Sequence, residues 1–192
     1  MPAIPLLARF VAPTCRSTAL IIGLLAAPAF TAHAQAPIQS DQPVFRAPFT
    51  LKLPVDTTHY YEQQFDKVPY VTGGDIYLFN GESFGVNLTI DGDHVSGLTY
   101  VANAAKADVQ FSFRQEKSGT GLMTLLTTRN KTKHKLFIDA LMTVPDKKGG
   151  LKTNILPIDA GLSSFESWPH PIVQLVLKNL RFTADIPASS SH

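Results

Sequence analysis

Residues able to do acid–base or metal chemistry are few in this chain, and they are scattered. Beyond residue 34 the histidines are His59, His94, His134, His170 and His192, and no two stand at H-x-H or H-x-x-x-H spacing. No local element therefore presents an imidazole pair to a metal. Asp91-Gly92-Asp93-His94 gathers two carboxylates and an imidazole. A calcium loop needs more oxygen ligands and a distal glutamate in register, which the chain does not supply. Asp-Gly is also an ordinary hairpin turn, and we read it so; neither a metal nor a cofactor is expected. Gly81-Glu82-Ser83-Phe84-Gly85 is the stretch nearest to a nucleophile elbow. It falls in a hairpin pattern, whereas an elbow needs strand–turn–helix. Glu62, Glu82, Glu116 and Glu166 lie far apart and mark no carboxylate pair for sugar hydrolysis. No glycine-rich loop opens a helix to cradle phosphate. No catalytic residue is assigned.

Three clusters suit recognition better than catalysis. His59-Tyr60-Tyr61 is the densest aromatic and polar group; its rings are able to stack on a sugar or anchor a partner, or to plug one end of a sheet pair. Glu166-Ser167-Trp168-Pro169-His170-Pro171 holds the one tryptophan between stiff prolines. There Trp168 and His170 form either a rigid recognition edge or a cap on the core. Tyr60, Tyr61, Trp168 and His170 are accordingly the candidate ligand- or partner-binding residues. The third cluster, Arg129-Asn130-Lys131-Thr132-Lys133-His134-Lys135, reads as a basic hairpin tip. Arg129, Lys131, Lys133 and Lys135 would suit phosphate, a lipid head group or an acidic partner, but no aromatic residue is interleaved for base stacking. The plainer expectation is a solvated tip whose lysines discourage edge pairing.

The elements that position these clusters alternate with period two. From Asp75 to Phe113 apolar and polar residues alternate, broken by Asn80-Gly81 and Asp91-Gly92-Asp93, as in neighbouring antiparallel strands with one buried face. Phe84, Val86, Leu88 and Ile90 share one face, as do Val109, Phe111 and Phe113. Further strands are expected over 45–54, 68–72, 75–79, 95–101, 122–128, 136–144 and 151–158. The apolar residues on both faces of 122–128 suggest a central strand. A short helix is expected over 55–66, from a cap at Asp56 or Thr57 and the i, i+4 pair Tyr61 and Phe65. One helical turn is expected over 163–168, where Ser163 and Glu166 match a capping box. Residues 172–182 fit either period, and their β-branched content tips them to strand. About nine or ten strands, with no βαβ spacing, give an all-β antiparallel sandwich, jelly-roll-like, or a partly closed barrel.

The chain ends are set apart by composition. Arg9 and Arg16 precede an apolar run, and Ala32-His33-Ala34 closes it with small residues. This pattern is that of a secretory signal peptide over 1–34, cut after Ala34, and its alanine-rich style is Gram-negative, hence periplasmic or secreted. The run is too short and proline-broken to span a bilayer, which takes about 20 apolar residues. A flexible linker follows over 35–44, then one β domain over 45–183 and a disordered tail over 184–192. Removing two of the 17 Lys and Arg leaves 15 against 15 Asp and Glu, so no net charge steers the domain to nucleic acid or anionic lipid. The one cysteine, Cys15, lies in the leader, which excludes an intrachain disulfide or a cysteine nucleophile in the mature domain. The expectation is a non-enzymatic binding module for a protein or glycan of the envelope. An envelope hydrolase acting on a glycan or ester, and a carrier of apolar ligand in a barrel cavity, are the alternatives.

Overall fold

The computed structural model describes residues 42–119 and 121–183. The expected leader with its cleavage site, most of the expected linker and the expected tail over 184–192 lie outside the described residues. Within them the chain is built of strands and one short 3-10 turn, with no α-helix. Three sheets form. The first is a hairpin of β1 (Phe49–Pro54) and β2 (Tyr60–Phe65). The second comprises β3 (Val71–Thr72), β4 (Asp75–Phe79), β9 (Phe137–Thr143), β10 (Leu151–Asn154) and β12 (Gln174–Arg181), in the order β10-β9-β12-β4-β3. The third comprises β5 (Glu82–Asp91), β6 (His94–Val101), β7 (Val109–Ser118), β8 (Gly121–Asn130) and β11 (Ser163–Trp168), in the order β11-β8-β7-β5-β6. Every strand pairing is antiparallel. The two five-stranded sheets pack face to face as a sandwich and do not join into a barrel.

Alternation places the core. Phe84, Val86, Val109, Phe111, Phe113 and Leu126 project from one sheet onto Ile76, Leu78, Ile138, Ala140, Leu175 and Leu177 of the other, all essentially without exposure. Burying a side chain of this size contributes about 1.5–3 kcal/mol relative to leaving it in water, so these strand faces drive the fold. The turns match their residues. Gly81 and Gly92 take positive φ, at 91° and 59°, the region that glycine enters without a Cβ clash. Gly85 is required for a different reason: a Cβ there would lie 2.3 Å from the Ala107 Cβ and 2.7 Å from the Val109 carbonyl. The absent side chain lets the 3-10 turn Ala104–Lys106 and its exit close over β5.

Several elements depart from expectation, each for a physical reason. There are twelve strands among the described residues rather than nine or ten. Residues 55–66 form no helix: Tyr61 and Phe65 share a face in a strand as readily as in a helix, because four residues is two strand repeats and also close to one helical turn of 3.6. The Asp56 side chain does accept backbone bonds, from the Thr58 and His59 amides at 2.7 Å each, but it closes the β1–β2 loop instead of starting a helix. Residues 163–168 are likewise strand β11. The Glu166 carboxylate accepts from the Leu156 amide at 2.9 Å and does not reach back to Ser163. Strand β8 is not doubly buried and stands second from the sheet edge. Its inner face is Thr124, Leu126, Thr128 and Asn130, while Met123 and Leu125 are half-exposed on the outer face.

The segment 129–135 is no hairpin tip; it crosses from β8 in one sheet to β9 in the other. Asn130, fully buried, fixes this crossing. Its amide nitrogen donates to the carbonyls of His134 (2.7 Å), Ile158 (3.1 Å) and Asp159 (3.3 Å), and its oxygen accepts from Thr132. The end of the expected linker is also tied down, since the Val44 carbonyl accepts from the Tyr70 amide at 2.9 Å.

Candidate functional site

The β1–β2 hairpin packs across one end of the sandwich. Leu51 and Leu53 from its inner face meet Phe79 and Val173, and Phe49, Tyr61 and Phe65 close around them. Phe49 and Phe65 stack at 5.2 Å, and both set their rings edge-on to Phe79. The plug that the sequence suggested for this segment is therefore present, made by a hairpin. Period two then forces Tyr60 outward as Tyr61 turns inward, and Tyr60 is 56% exposed.

The tip of this hairpin, the tip joining β7 to β8, and the loop 169–171 surround an open groove of about 1040 Å³. Tyr60, Asp56 and Thr57 come from the first tip, Gln115, Glu116, Lys117 and Leu122 from the second, and Pro169, His170 and Pro171 from the loop. The walls are braced. Gln115 Nε2 donates to the Pro54 carbonyl at 3.1 Å, and Thr124 Oγ1 donates to the His170 carbonyl at 2.8 Å. Arg114 Nε holds the Glu116 carboxylate at 2.5 Å.

Of the four candidate binding residues, the structure brings Tyr60 and His170 together in this groove. Tyr61 sits beneath them in the hairpin core, with its hydroxyl donating to Gln63. Trp168 is 8% exposed and belongs to the main core; its indole N–H donates to Thr153 Oγ1 at 2.8 Å, across to the other sheet. It is a closure between sheets and not a displayed side chain. Among the basic residues, Lys131 Nζ donates to the Ala105 carbonyl at 2.9 Å and Lys135 pairs with Asp159 at 2.9 Å. Both serve the crossing between sheets, while Arg129 and Lys133 are exposed.

Two arrangements resemble catalytic ones, and geometry excludes both. At the groove's rim Asp56, Thr58 and His59 lie in mutual contact. Thr58 Oγ1 and the Asp56 carboxylate both address His59 Nδ1, at 3.0 Å and 2.7 Å. A proton relay needs the hydroxyl on one ring nitrogen and the carboxylate on the other. Hydrogen bonds from the Thr58 amide and then from the His59 ring and amide hold the Asp56 carboxyl far below the usual carboxylate range. Asp56 is thus a poor base and holds no proton to give near neutrality. The second arrangement is Gly81-Glu82-Ser83-Phe84-Gly85, whose spacing fits all three positions of G-x-S-x-G. Ser83 stands within extended β5, and its hydroxyl donates to the Phe111 carbonyl of the neighbouring strand at 3.2 Å. That is a flat strand and not an elbow.

Sequence reasoning missed one constellation, Arg46 with Glu82. Arg46 is 6% exposed. Its Nε and Nη2 donate to the two Glu82 oxygens at 2.5 and 2.7 Å, and its remaining donors reach the carbonyls of Pro69 (2.6 Å), Tyr77 (2.5 Å) and Val68 (3.4 Å). The guanidinium lies over the Tyr70 ring at 3.9 Å, and Glu82 also accepts from the Phe79 amide at 2.8 Å. With every donor engaged this is a clamp, tying the segment before β1 to β4 and β5. An arginine after a phenylalanine at the start of an expected strand carries no local signal of such a role.

Among the described residues no three His, Cys, Asp or Glu side chains converge as a metal site, and no helix is long and apolar enough to cross a membrane. Comparison with protein-family models, with curated proteins and with solved structures finds no match to this chain.

Proposed function

We propose that this chain is exported behind residues 1–34 and acts as a non-enzymatic recognition module in the bacterial envelope, holding its ligand in the groove between the two hairpin tips and the loop 169–171. The observation that carries this reading is the placement of Tyr60 and His170. They come from segments more than a hundred positions apart in sequence, and meet on one rigid, solvent-open concavity. Binding sites concentrate on loops held by a rigid scaffold, and here prolines at 54, 169 and 171 stiffen the walls. The hydrolase alternative lacks support because the groove's carboxylates are already engaged, Asp56 in its own turn and Glu116 with Arg114. The apolar carrier lacks support because the phenylalanines that would line a cavity fill the space between the sheets.

The test uses the full chain, expressed with its leader in a Gram-negative host and recovered from the periplasm. N-terminal sequencing is expected to begin at Gln35; an intact leader on cytosolic protein would overturn the export part. Purified cell envelopes are then the probe for co-sedimentation. The wild type should pellet, and a Tyr60→Ala/His170→Ala variant should lose about tenfold in apparent affinity. Equal pelleting of both would remove the groove from the reading. Release of soluble sugar or acyl fragments by the wild type, abolished in the variant, would make the protein a hydrolase.

A further inference from the structure

The recognition reading leaves the class of ligand open, and the lining of the groove narrows it. We infer that the groove takes a segment of a neutral polysaccharide, with one sugar ring lying on Tyr60. This rests on the groove being a recognition site at all.

Size comes first. At about 1040 Å³ the concavity reaches the upper end of the range for small-molecule pockets, roughly 300–1000 Å³, and it is open rather than enclosed. It suits a stretch of a chain-like ligand. Charge comes next. The ionic side chains on the walls are Asp56, Glu116 and Lys117, with His170 beside them. Both signs are interspersed and Glu116 is already paired with Arg114. A phosphate, an anionic lipid head group or a nucleic acid would require a surplus of cations, and the groove has none. A strongly basic ligand would require a surplus of free carboxylates, which is also absent.

Peptide and glycan remain, and the backbone separates them. A peptide bound in extended form draws its affinity from main-chain bonds to an exposed strand edge. This groove is walled by turn tips and by three prolines, which have no N–H to donate. Its polar equipment is in side chains instead: the Tyr60 and Thr57 hydroxyls, the Gln115 side-chain oxygen, Lys117 and the His170 imidazole. These are the groups that bond ring hydroxyls. Tyr60 adds a ring that is 56% exposed; Lys52 Nζ lies 5.1 Å from its centroid on one face, and the opposite, negative face attracts the C–H face of a sugar. Stiff walls lower the ordering cost of binding.

Affinity electrophoresis of the periplasmic full chain tests this, in native gels cast with a neutral mixed-linkage β-glucan, a galactomannan or hydroxyethylcellulose, and with anionic alginate as the contrast. The expected result is retardation by at least one neutral polymer, equal at low and high salt because no charge pairing is involved. Tyr60→Ala should weaken it about tenfold, while Tyr60→Phe, which keeps the ring, should stay within about threefold of wild type. Both changes are on an exposed side chain, and circular dichroism reports whether the fold survives them. Retardation by alginate alone, unchanged retardation in Tyr60→Ala, or no retardation by any neutral polymer overturns the inference. An array of short peptides tells the two failures apart. Peptide binding lost in Tyr60→Ala would leave the groove a recognition site with the wrong ligand class assigned. No binding in either assay, with envelope co-sedimentation also negative, would bring down the recognition reading itself.

Discussion

The two long flanks of the sandwich are closed by different chemistry. On the β3/β6 flank Tyr70 stacks on Tyr100 at 4.2 Å, and the Arg46–Glu82 pair lies directly beneath. On the β10/β11 flank the links are a Trp168–Thr153 hydrogen bond and the Glu166 carboxylate on the Leu156 amide. There Leu156, Leu162 and Phe165 remain open to solvent, at 65%, 57% and 76% exposure. The first flank depends on a desolvated ion pair whose members need each other. The second depends on single bonds involving groups that tolerate water. Removing half of a buried pair strands a charge, whereas removing one of the second kind strands at most a neutral group. The flanks should therefore differ in how much a single substitution costs.

The largest effect is expected at the clamp. Arg46→Ala leaves Glu82 without its counter-ion and should cost about 3–5 kcal/mol, read as the shift in denaturant midpoint at constant slope. Replacing both members with apolar residues should recover much of that loss. A cost for Arg46→Ala below about 1 kcal/mol would place the pair among weak surface bridges and erase the contrast between flanks. On the opposite side Trp168→Phe should cost about 1–3 kcal/mol, from a stranded Thr153 hydroxyl and lost volume. A cycle with Thr153→Val measures the bond itself.

Two groups link stability to pH, Tyr100 on the β3/β6 flank and Asp139 between β9 and β12. Burial, helped by Tyr70, raises the Tyr100 phenol above its ordinary value. A raised folded-state pKa gives stability that is complete below the unfolded value, near 10, and is lost as pH climbs through the folded one. Thermal melts should thus fall on the alkaline side, and Tyr100→Phe should flatten that limb. At Asp139, burial alone would raise the carboxyl, but bonds from Asn179 and Arg181 outweigh it and hold it low. Its contribution is present above the unfolded value, near 3.9, and disappears as pH drops through the depressed one. Asp139→Asn should flatten the acid limb and leave the alkaline limb alone. A single limb moving for both variants would contradict the assignment. The smallest effect is expected from Phe165→Ser, on the outer face of an edge strand, which should stay within about 0.5 kcal/mol. A larger loss would mean that Phe165 is packed against something in solution.

The fold was legible wherever apolar residues alternate over several positions. Val109, Phe111 and Phe113, or Leu136, Ile138 and Ala140, declare a buried face, because only one pleat side can meet the core. Residues 172–182 resolved correctly to strand on the same ground, with Leu175 and Leu177 fully buried. Legibility failed where a local signal has two uses. Asp56 accepts the same two backbone amides in a hairpin loop as at a helix start, and Ser163 with Glu166 has capping-box spacing inside a strand. In the candidate site the aromatic cluster at 59–61 was visible, but which tyrosine faces out was not. That depended on Leu51 and Leu53 opposite it finding Phe79 and Val173.

Composition alone set the charge balance and the absence of cysteine beyond residue 34, and physics that acts between neighbours a few residues apart set the pleated strands and their turns. The assembled sandwich decided that Trp168 is core while Tyr60 is surface, that Arg46 meets Glu82, and that His170 and Tyr60 line one groove. Those outcomes depend on which sheet each strand joins and how the sheets stack, and contacts between residues far apart in the chain leave no mark on the spacing of either partner.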